Sequence, residues 1–296
     1  MSAVEARAYA KINLCLEVLG RRPDGYHELA TVFQTVSLHD EVRVEIREER
    51  GIRIDVQGAD VPPGRDNLAW RAAKAYRQMR GWPEGASIRL TKRIPVGAGL
   101  GGGSADAAAV LKVLYEVDQD ERTDPDFDRL AGDLGADVPF CLMGGTAIGY
   151  GRGDDLIYLP DLPPCWIALV KPELSVATAE AYGMLEPRDF TDGVSADSMA
   201  DAIEEGADIE EIARHVHNAF ARPLTERWPV FGELQARLRD AGALAAEITG
   251  SGSAVFGLFT AESQAESVVA DLATDGLWAC VVEPVSAWDD AVTRVE

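Results

Sequence analysis

The sequence predicts an α+β protein of two domains that share a cleft. Three observations support this class. The chain has 296 residues, which is long for one compact domain and sufficient for two. Strands that read as hairpins are mixed with helices, a pattern that argues against a doubly wound parallel sheet. The segment Asp161-Leu-Pro-Pro164 is the best boundary, so we predict an N-terminal domain at 1–160 and a C-terminal domain at 161–296.

Hydrophobic periodicity and turn residues predict the elements of the first domain in order. A loosely alternating run forms the first strand, and Arg21-Arg-Pro-Asp-Gly25 forms the turn after it. An Ala-rich helix opens at Asp66-Asn-Leu68, and another follows the glycine-rich segment near residue 100. The predicted strands are 6–18, 31–37, 41–47, 51–56, 87–92, 144–150 and 155–159, and the predicted helices are 66–79, 104–117 and 126–134.

The second domain restarts with a strand immediately after the proline segment. Four amphipathic stretches then predict helices, and a glycine turn precedes a short apolar strand. A last helix and strand finish the chain. The predicted strands are 166–170, 254–259 and 278–284, and the predicted helices are 178–185, 198–205, 209–220, 231–241 and 261–273.

The charge of the chain excludes one class of partner. Lys and Arg number 28 against 50 Asp and Glu, a net charge of −22. Nucleic-acid backbones need basic patches, so we expect no nucleic-acid partner. A nucleotide substrate remains compatible with this charge, because backbone N–H groups and a magnesium ion can hold phosphates. No run approaches the roughly 20 apolar residues of a membrane span, and the N-terminus lacks the order of a secretory signal. We expect no membrane partner and a cytoplasmic location.

The cysteines and histidines predict no metal site. Four scattered cysteines form no Cys-x-x-Cys pair and are expected to be reduced and mostly buried. None of the four histidines has a metal-ligand spacing with a cysteine, and His215-x-His217 alone is weak evidence for zinc.

The segment from Pro95 to Ala109 carries the strongest functional signal. Five glycines fall within seven residues, so the backbone can turn its N–H groups inward without obstruction by side chains. The helix that begins near Ser104 points its positive end at the same place. A flexible glycine turn is the alternative, but such turns rarely run straight into so strong a helix. No Gly-Lys-Ser/Thr follows, so this is not a Walker loop, and its late position argues against a dinucleotide site. We therefore predict a phosphate-binding loop at Pro95, Val96, Gly97, Ala98, Gly99, Leu100, Gly101, Gly102, Gly103 and Ser104.

Two charged residues could serve chemistry on a phosphate bound in this loop, which needs charge stabilisation and a proton acceptor. Lys11 lies inside an otherwise apolar strand and so needs a partner. Asp137 follows a helix end in Gly-Ala-Asp-Val-Pro, where its carboxylate can project into a cleft. We predict Asp137 as the base and Lys11 as its partner. An edge-strand lysine and a turn carboxylate are the alternatives, and the pattern alone does not bring the two together.

These segments resemble the motifs of a known family. The loop resembles the phosphate motif of the GHMP kinases, which include galactokinase, homoserine kinase and mevalonate kinase. Ala8–Leu14 and Ile248–Gly257 resemble the N-terminal motif and the C-terminal glycine motif of that family. Arg22–Glu28 and Leu134–Phe140, together with Gly144-Gly-Thr-Ala147, resemble the members that phosphorylate cytidine diphospho-methylerythritol in the non-mevalonate isoprenoid pathway. The resemblance covers nearly the whole chain.

The resemblance implies a two-domain GHMP kinase fold with an active-site cleft between the domains. It assigns the catalytic roles to Lys11 and Asp137, and it implies ATP with Mg²⁺ held mainly through the nucleotide. Asn67 is placed on the adenine side, with helix capping as the alternative. Ser104 is placed toward the phosphates, and a helix N-cap is compatible with that role.

The resemblance also implies a substrate pocket. Tyr26 stacks on cytosine, Tyr182 supplies the opposite face, and His27 hydrogen-bonds the base. Asn13 contacts the erythritol or diphosphate side. Ordinary core packing is the alternative for each aromatic residue. The predicted substrate-binding residues are Asn13, Tyr26, His27, Phe33, Thr178 and Tyr182.

Two points remain open at this level. The turn Gly250–Ser253 either meets the substrate diphosphate or forms a tight hairpin. The family often carries an acidic run after the position of His217-Asn218, but this chain reads Asn-Ala-Phe-Ala-Arg-Pro223, so no role is assigned there. Another GHMP kinase and a catalytically silent nucleotide sensor are the rival functions.

Overall fold

The computed structural model describes residues 3–59, 61–62, 64–82, 85–118, 125–287 and 292–295. Within these ranges, the strands form two separate sheets. The strands are β1 Ala3–Arg21, β2 His27–Arg47, β3 Ile52–Gln57, β4 Gly85–Thr91, β5 Thr146–Gly151, β6 Asp155–Leu159, β7 Trp166–Lys171, β8 His217–Asn218, β9 Ala245–Ile248, β10 Val255–Phe259, β11 Trp278–Val282 and β12 Val292–Val295.

Helices cover both sheets. They are α1 Leu68–Arg80, α2 Gly102–Asp118, α3 Pro125–Leu134, α4 Val138–Met143, α5 Thr178–Met184, α6 Val194–Glu204, α7 Ile209–Ile212, α8 Ala221–Arg227, α9 Val230–Asp240 and α10 Glu262–Thr274. In the part of the chain that the structure describes, no helix is long and apolar enough to cross a membrane.

The first sheet is built around the long hairpin of β1 and β2. Its strand order is β12-β1-β2-β4-β3. In addition, β5 pairs with β2, β6 pairs with β5, and β8 pairs with β1. The second sheet has the order β11-β7-β10-β9, and its pairs are antiparallel. The mixture of hairpins and helices confirms the predicted α+β class.

The chain crosses between the two sheets more than once. Both β8 and β12 come after the proposed boundary at 160 and 161, yet both pair with β1. The two-domain division of the sequence stays a prediction, and these crossings bring segments of the second half alongside β1.

One strand replaces two that the sequence predicts. β2 continues from His27 to Arg47, through the gap predicted at 38–40. Asp40 lies in this gap, and aspartate is depleted in strands. Here its carboxylate is buried and accepts hydrogen bonds from the backbone N–H groups of Arg93 and Ile94. Tertiary hydrogen bonds therefore outweigh the local preference.

The predicted helix at 209–220 is wrong. α7 ends at Ile212, β8 follows, and α8 begins at Ala221. The side chain of Asn218 explains the break, because its buried amide bonds to backbone groups of a distant turn. The sequence reading also missed α4, α8, β9 and β12, which are short elements without strong periodicity.

Small side chains set the position of the central helix. α2 packs against α1 and the first sheet through alanines, including Ala69, Ala72 and Ala73 on α1 and Ala107 and Ala108 on α2. Alanine side chains allow close axis-to-axis packing. This packing holds the first turn of α2 against β1, where the candidate site lies.

Candidate active site

The glycine-rich loop runs directly into the start of α2. Gly97, Gly99 and Gly101 have φ of +66°, +75° and +70°, values that glycine adopts without steric cost. A Cβ added to Gly103 would have no atom within 4 Å, so this face of the loop is open. The N-terminus of the 17-residue helix α2 therefore presents free amides and a positive dipole end to an open space.

Lys11 lies immediately beneath this loop. Its backbone N–H donates to the carbonyl of Leu100 at 3.0 Å, and its side chain is buried. A Cβ added to Gly101 would lie 2.9 Å from the Cγ atom of Lys11. The glycine is thus required for the loop to close over the lysine. The contact with the loop explains why a lysine occurs in this apolar strand.

The ammonium of Lys11 pairs with Asp137. The Nζ atom lies 3.6 Å from the Oδ2 atom of Asp137, and it donates to the Oδ1 atom of Asn13 at 2.7 Å. The side chain of Asp137 is 34% exposed and that of Lys11 only 6%. The carboxylate is therefore the member of the pair that a substrate can reach. The question that the sequence left open, whether the two residues meet, is answered by this contact.

The position of Asp137 is fixed by the start of α4. Its side chain makes no capping hydrogen bond to that helix, although its backbone carbonyl accepts from the N–H of Cys141 at 3.0 Å. The carboxylate is thus available for another partner, whereas a capping aspartate would have its oxygens occupied.

Asn13 orients the lysine. Its side-chain amide donates to the Oγ1 atom of Thr31 at 2.7 Å, and its oxygen accepts from Lys11. Its backbone N–H donates to the Oγ1 atom of Thr249 at 2.9 Å. The predicted contact of Asn13 with the erythritol side therefore competes with two intramolecular bonds. Thr31, in β2, and Thr249, which follows β9, were missed as site residues, because a single threonine gives no sequence signal.

The second glycine segment, Gly250–Ser253, packs on the first. The N–H of Ala254 donates to the carbonyl of Ala98 at 3.0 Å. A Cβ on Gly99 would lie 2.2 Å from the carbonyl oxygen of Thr249. Of the two interpretations of this turn, these contacts favour the tight hairpin, because its backbone lies against backbone.

Asn218 holds that second segment in place. Its buried amide donates to the carbonyls of Ile248 and Gly250 at 2.7 and 2.9 Å. Its oxygen accepts from the N–H of Phe220 at 2.8 Å. The sequence assigned no role here, and an asparagine inside a predicted helix gave no reason to expect one.

Three aromatic residues meet beside the site. The rings of His27 and Tyr182 stack with centroids 4.7 Å apart, and Tyr182 meets Phe220 edge-on at 4.9 Å. Burial lowers the pKa of His27 and raises the pKa of Tyr182 to about 12. The Nε2 atom of His27 is buried without a hydrogen-bond partner among the described residues. This ring nitrogen would gain a hydrogen bond from a ligand that reached it.

The other predicted substrate residues lie in different surroundings. Tyr26 is 58% exposed, and its ring contacts the guanidinium of Arg152 at 5.5 Å. Thr178 begins α5, and its hydroxyl bonds to Ser251 at 3.2 Å. Phe33 is buried and stacks on Phe140 at 4.9 Å, which matches the core-packing alternative. Its ring centroid lies 5.4 Å from the ammonium of Lys11, so it forms one wall of the lysine site.

The two remaining predictions concern helix starts. Asn67 caps α1, because its Oδ1 atom accepts from the N–H of Ala69 at 2.9 Å. The N-cap prediction for Ser104 is wrong, because α2 begins two residues earlier at Gly102. The two additional residues are Gly102 and Gly103, which join the helix at its first positions.

A buried cluster of charge near the loop was also missed. Lys92 donates to Asp40 and to the Oδ2 atom of Asp106, the latter at 2.6 Å. Burial raises the pKa of Asp106 to about 7, against the opposing effect of Lys92. A lysine directly before the loop was the available signal, but the sequence shows no partner for it.

Comparisons with known proteins agree with these features. Residues 67–145 match the model of the GHMP kinases N terminal domain, and residues 199–276 match that of the GHMP kinases C terminal. The 4-diphosphocytidyl-2-C-methyl-D-erythritol kinase of Pelotomaculum thermopropionicum is 46% identical over 90% of this chain and 93% of its own length. The chain belongs to the GHMP kinase family. GHMP kinases use ATP, generally with Mg²⁺.

Further GHMP kinases extend the comparison. The kinase of the same name from Alkaliphilus metalliredigens is 38% identical over 92% of this chain and 93% of its own. A crystal structure of 4-(cytidine 5'-diphospho)-2C-methyl-D-erythritol kinase matches with a TM-score of 0.80 at 38% identity, covering 94% of this chain and 98% of that one. Homoserine kinase from Cytophaga hutchinsonii shares the fold with a TM-score of 0.76 at 20% identity, over 99% and 97% of the two chains. The predicted family and fold are confirmed.

Proposed function

We propose that this chain transfers the γ-phosphoryl group of ATP to the 2-hydroxyl of 4-diphosphocytidyl-2-C-methyl-D-erythritol, which yields the 2-phosphate and ADP, in the non-mevalonate isoprenoid precursor pathway. The Lys11–Asp137 ion pair beneath the glycine-rich loop carries the chemical part of this proposal. The relatives that bear the name of this kinase support the choice of substrate.

The loop and α2 bind the phosphates of ATP. The open face over Gly103 has room for a phosphate, and the amides of the first turn of α2 point into it. No group of three or more His, Cys, Asp or Glu that could hold a metal ion occurs among the described residues. Mg²⁺ held mainly through the nucleotide would neutralise phosphate charge.

Asp137 and Lys11 act on the acceptor. The carboxylate of Asp137 accepts the proton of the 2-hydroxyl while the hydroxyl oxygen forms its bond to the γ-phosphorus and the bond to ADP breaks. The ammonium of Lys11 stabilises the negative charge on the transferring group. Asn13 and Phe33 fix the ammonium by a hydrogen bond and a ring contact, so little reorganisation is needed during the step.

The aromatic cluster orients the cytidine end. The unpartnered Nε2 atom of His27 bonds to the edge of the base, and its stacking on Tyr182 keeps the ring in position. The exposed ring of Tyr26, which lies against the guanidinium of Arg152, covers the base. We also propose a cytoplasmic location and no nucleic-acid partner, in keeping with the net charge of −22.

An ADP-release assay tests the function. The purified protein is given Mg-ATP with the cytidine substrate, homoserine or mevalonate in turn. We expect release of ADP with the cytidine substrate at a kcat/KM at least about 100-fold above that with the other two, because only the first fills the aromatic pocket. Equal activity on homoserine or mevalonate would overturn the substrate assignment. An absence of ADP release with all three, from protein that binds ATP, would favour a nucleotide sensor.

A further inference from the structure

A buried cluster beneath the phosphate loop takes no part in the mechanism above. We call Lys92, Asp40 and Asp106 the Lys92 cluster. The three side chains are at most 5% exposed, and the ammonium lies between the two carboxylates. Burying three charges has a large desolvation cost even when they are paired, so the cluster calls for an explanation.

The ammonium of Lys92 lies against the loop. A Cβ added to Gly102, the first residue of α2, would lie 3.5 Å from the Nζ atom of Lys92. Asp106 is one turn further along the same helix and faces the same lysine. The charge of the cluster is therefore felt where the phosphates of ATP bind.

The two carboxylates of the Lys92 cluster have different hydrogen-bond partners. Asp40 accepts from the backbone N–H groups of Arg93 and Ile94 at 2.5 and 2.8 Å, in addition to Lys92. It therefore fixes the chain that leads into the loop. The Oδ2 atom of Asp106 accepts from Lys92, whereas its buried Oδ1 atom has no hydrogen-bond partner among the described residues. When ionised, Asp106 thus places a negative charge near the loop, and none of its described hydrogen bonds satisfies a backbone group of the loop.

The net charge of the Lys92 cluster disfavours the binding of a polyphosphate. One lysine and two carboxylates sum to a net charge of −1 when both acids are ionised. A polyphosphate bound over Gly102 would be repelled by that charge, and a buried environment screens the repulsion poorly. The same repulsion acts on ADP and so favours release of the product.

We propose that Asp106 is a positioning residue of the phosphate loop that holds Lys92 beneath Gly102 and, through its negative charge, weakens the binding of ATP and ADP. The inference rests on the proposed function only in that the loop binds ATP. It does not depend on the identity of the acceptor.

The variant Asp106→Asn tests this directly. Asparagine keeps the shape and the acceptor for Lys92, supplies an amide in the place of the unpartnered oxygen, and removes the charge. We expect the Kd for a non-hydrolysable Mg-ATP analogue and for Mg-ADP to fall by roughly 3- to 10-fold at a pH of about 9, well above the pKa of about 7 to which burial raises this acid. Calorimetry measures both, and KM for the cytidine substrate should not change.

Asp118→Asn is the matched control. It removes one charge from the other end of α2, where the carboxylate accepts from Tyr76 and Arg80. We expect its nucleotide affinity to equal that of the wild type, because the lost charge is remote from the loop. Equal tightening in both variants would mean that only the net charge of the protein matters, and the inference would fail.

The direction of the change separates this role from a merely structural one. A residue that only supports the loop gives weaker nucleotide binding when it is replaced. Asp106→Ser, a second neutral variant, guards against poor folding of the first, and it should also bind ADP more tightly. Unchanged or weaker binding in a folded neutral variant would overturn the inference. A wild type that binds no ATP would instead overturn the proposed function.

Discussion

The two glycine-rich segments, 97–103 and 250–253, lie against each other, but their glycines meet different constraints. In the first, Gly101 leaves space for the side chain of Lys11, and Gly103 faces an open space. In the second, a Cβ on Gly250 would lie 3.0 Å from the carbonyl oxygen of Gly99. The first segment covers a charged pair and begins a long helix, whereas the second packs backbone on backbone.

This difference teaches that glycine density alone does not define a phosphate site. Both segments have glycines with positive φ. The first also has a buried ammonium beneath it and a helix N-terminus at its end, and these supply the electrostatic attraction for phosphate. The second lacks a charged partner among its described contacts and is held by the neutral amide of Asn218. We expect the second segment to support the first.

Asp137→Asn tests whether Asp137 is the proton acceptor beside the first segment. It has the largest expected effect. Loss of the proton acceptor should lower kcat by roughly 10² or more, while the Kd for ATP changes by less than about two-fold, because the loop amides are intact. Steady-state kinetics and calorimetry measure the two quantities. Asp133→Asn, an exposed residue four positions earlier, is the control and should behave as the wild type. Normal turnover of Asp137→Asn would remove this residue from the mechanism.

Gly101→Ala tests whether the loop must close over Lys11. Its φ of +70° and a Cβ position 2.9 Å from the Cγ atom of Lys11 both disfavour alanine. We expect KM for ATP to rise about 10-fold or more. Gly132→Ala, within α3 and with no atom within 4 Å of its Cβ position, is the matched control for the substitution. A Gly101→Ala enzyme with wild-type KM would show that the loop tolerates displacement from the lysine.

Gly250→Ala tests the supporting role of the second segment. A φ of +57° and the contact with Gly99 predict a loss of roughly 1–3 kcal/mol in the free energy of unfolding. Urea denaturation measures this loss. KM for ATP of the folded variant should change less than in Gly101→Ala. Unchanged stability together with a loss of ATP binding would contradict the supporting role, because the second segment would then bind phosphate itself.

Glu247, next to the second segment, gives a smaller and pH-dependent effect. Burial raises its pKa from 4.5 to about 7, although the N–H of Ile248 donates to it. Because the folded protein holds this proton more tightly than the unfolded chain, its contribution to stability is full below pH 4.5 and is lost as pH rises to about 7. We expect the stability of the wild type relative to Glu247→Gln to fall by roughly 1–3 kcal/mol across this window. A constant difference from acid to neutral pH would contradict the assignment.

Local sequence pattern was enough to predict a glycine-rich turn that leads into a helix, and the need of Lys11 for a partner. The glycines of the loop are adjacent in the chain, and the lysine interrupts an apolar strand. The contact of Lys11 with Asp137 joins residues 126 positions apart. Hydrophobic periodicity carries no information about contacts between residues so far apart in the sequence. The family resemblance, rather than the pattern, selected Asp137.

Features that depend on distant partners were predicted least well. Asn218 ends a predicted helix because its amide bonds to Ile248 and Gly250. Asp40 lies inside a strand because it bonds to the backbone near Lys92. In each case, a buried polar side chain satisfies backbone groups that the local sequence does not reveal.

A crystal structure with a non-hydrolysable ATP analogue and the cytidine substrate tests the central claim most directly. The account predicts that the β- and γ-phosphates accept hydrogen bonds from amides of residues 99–103, and that the 2-hydroxyl lies within hydrogen-bond distance of the carboxylate of Asp137 with Lys11 beside it. Phosphates bound away from this loop, or a 2-hydroxyl remote from Asp137, would contradict the account.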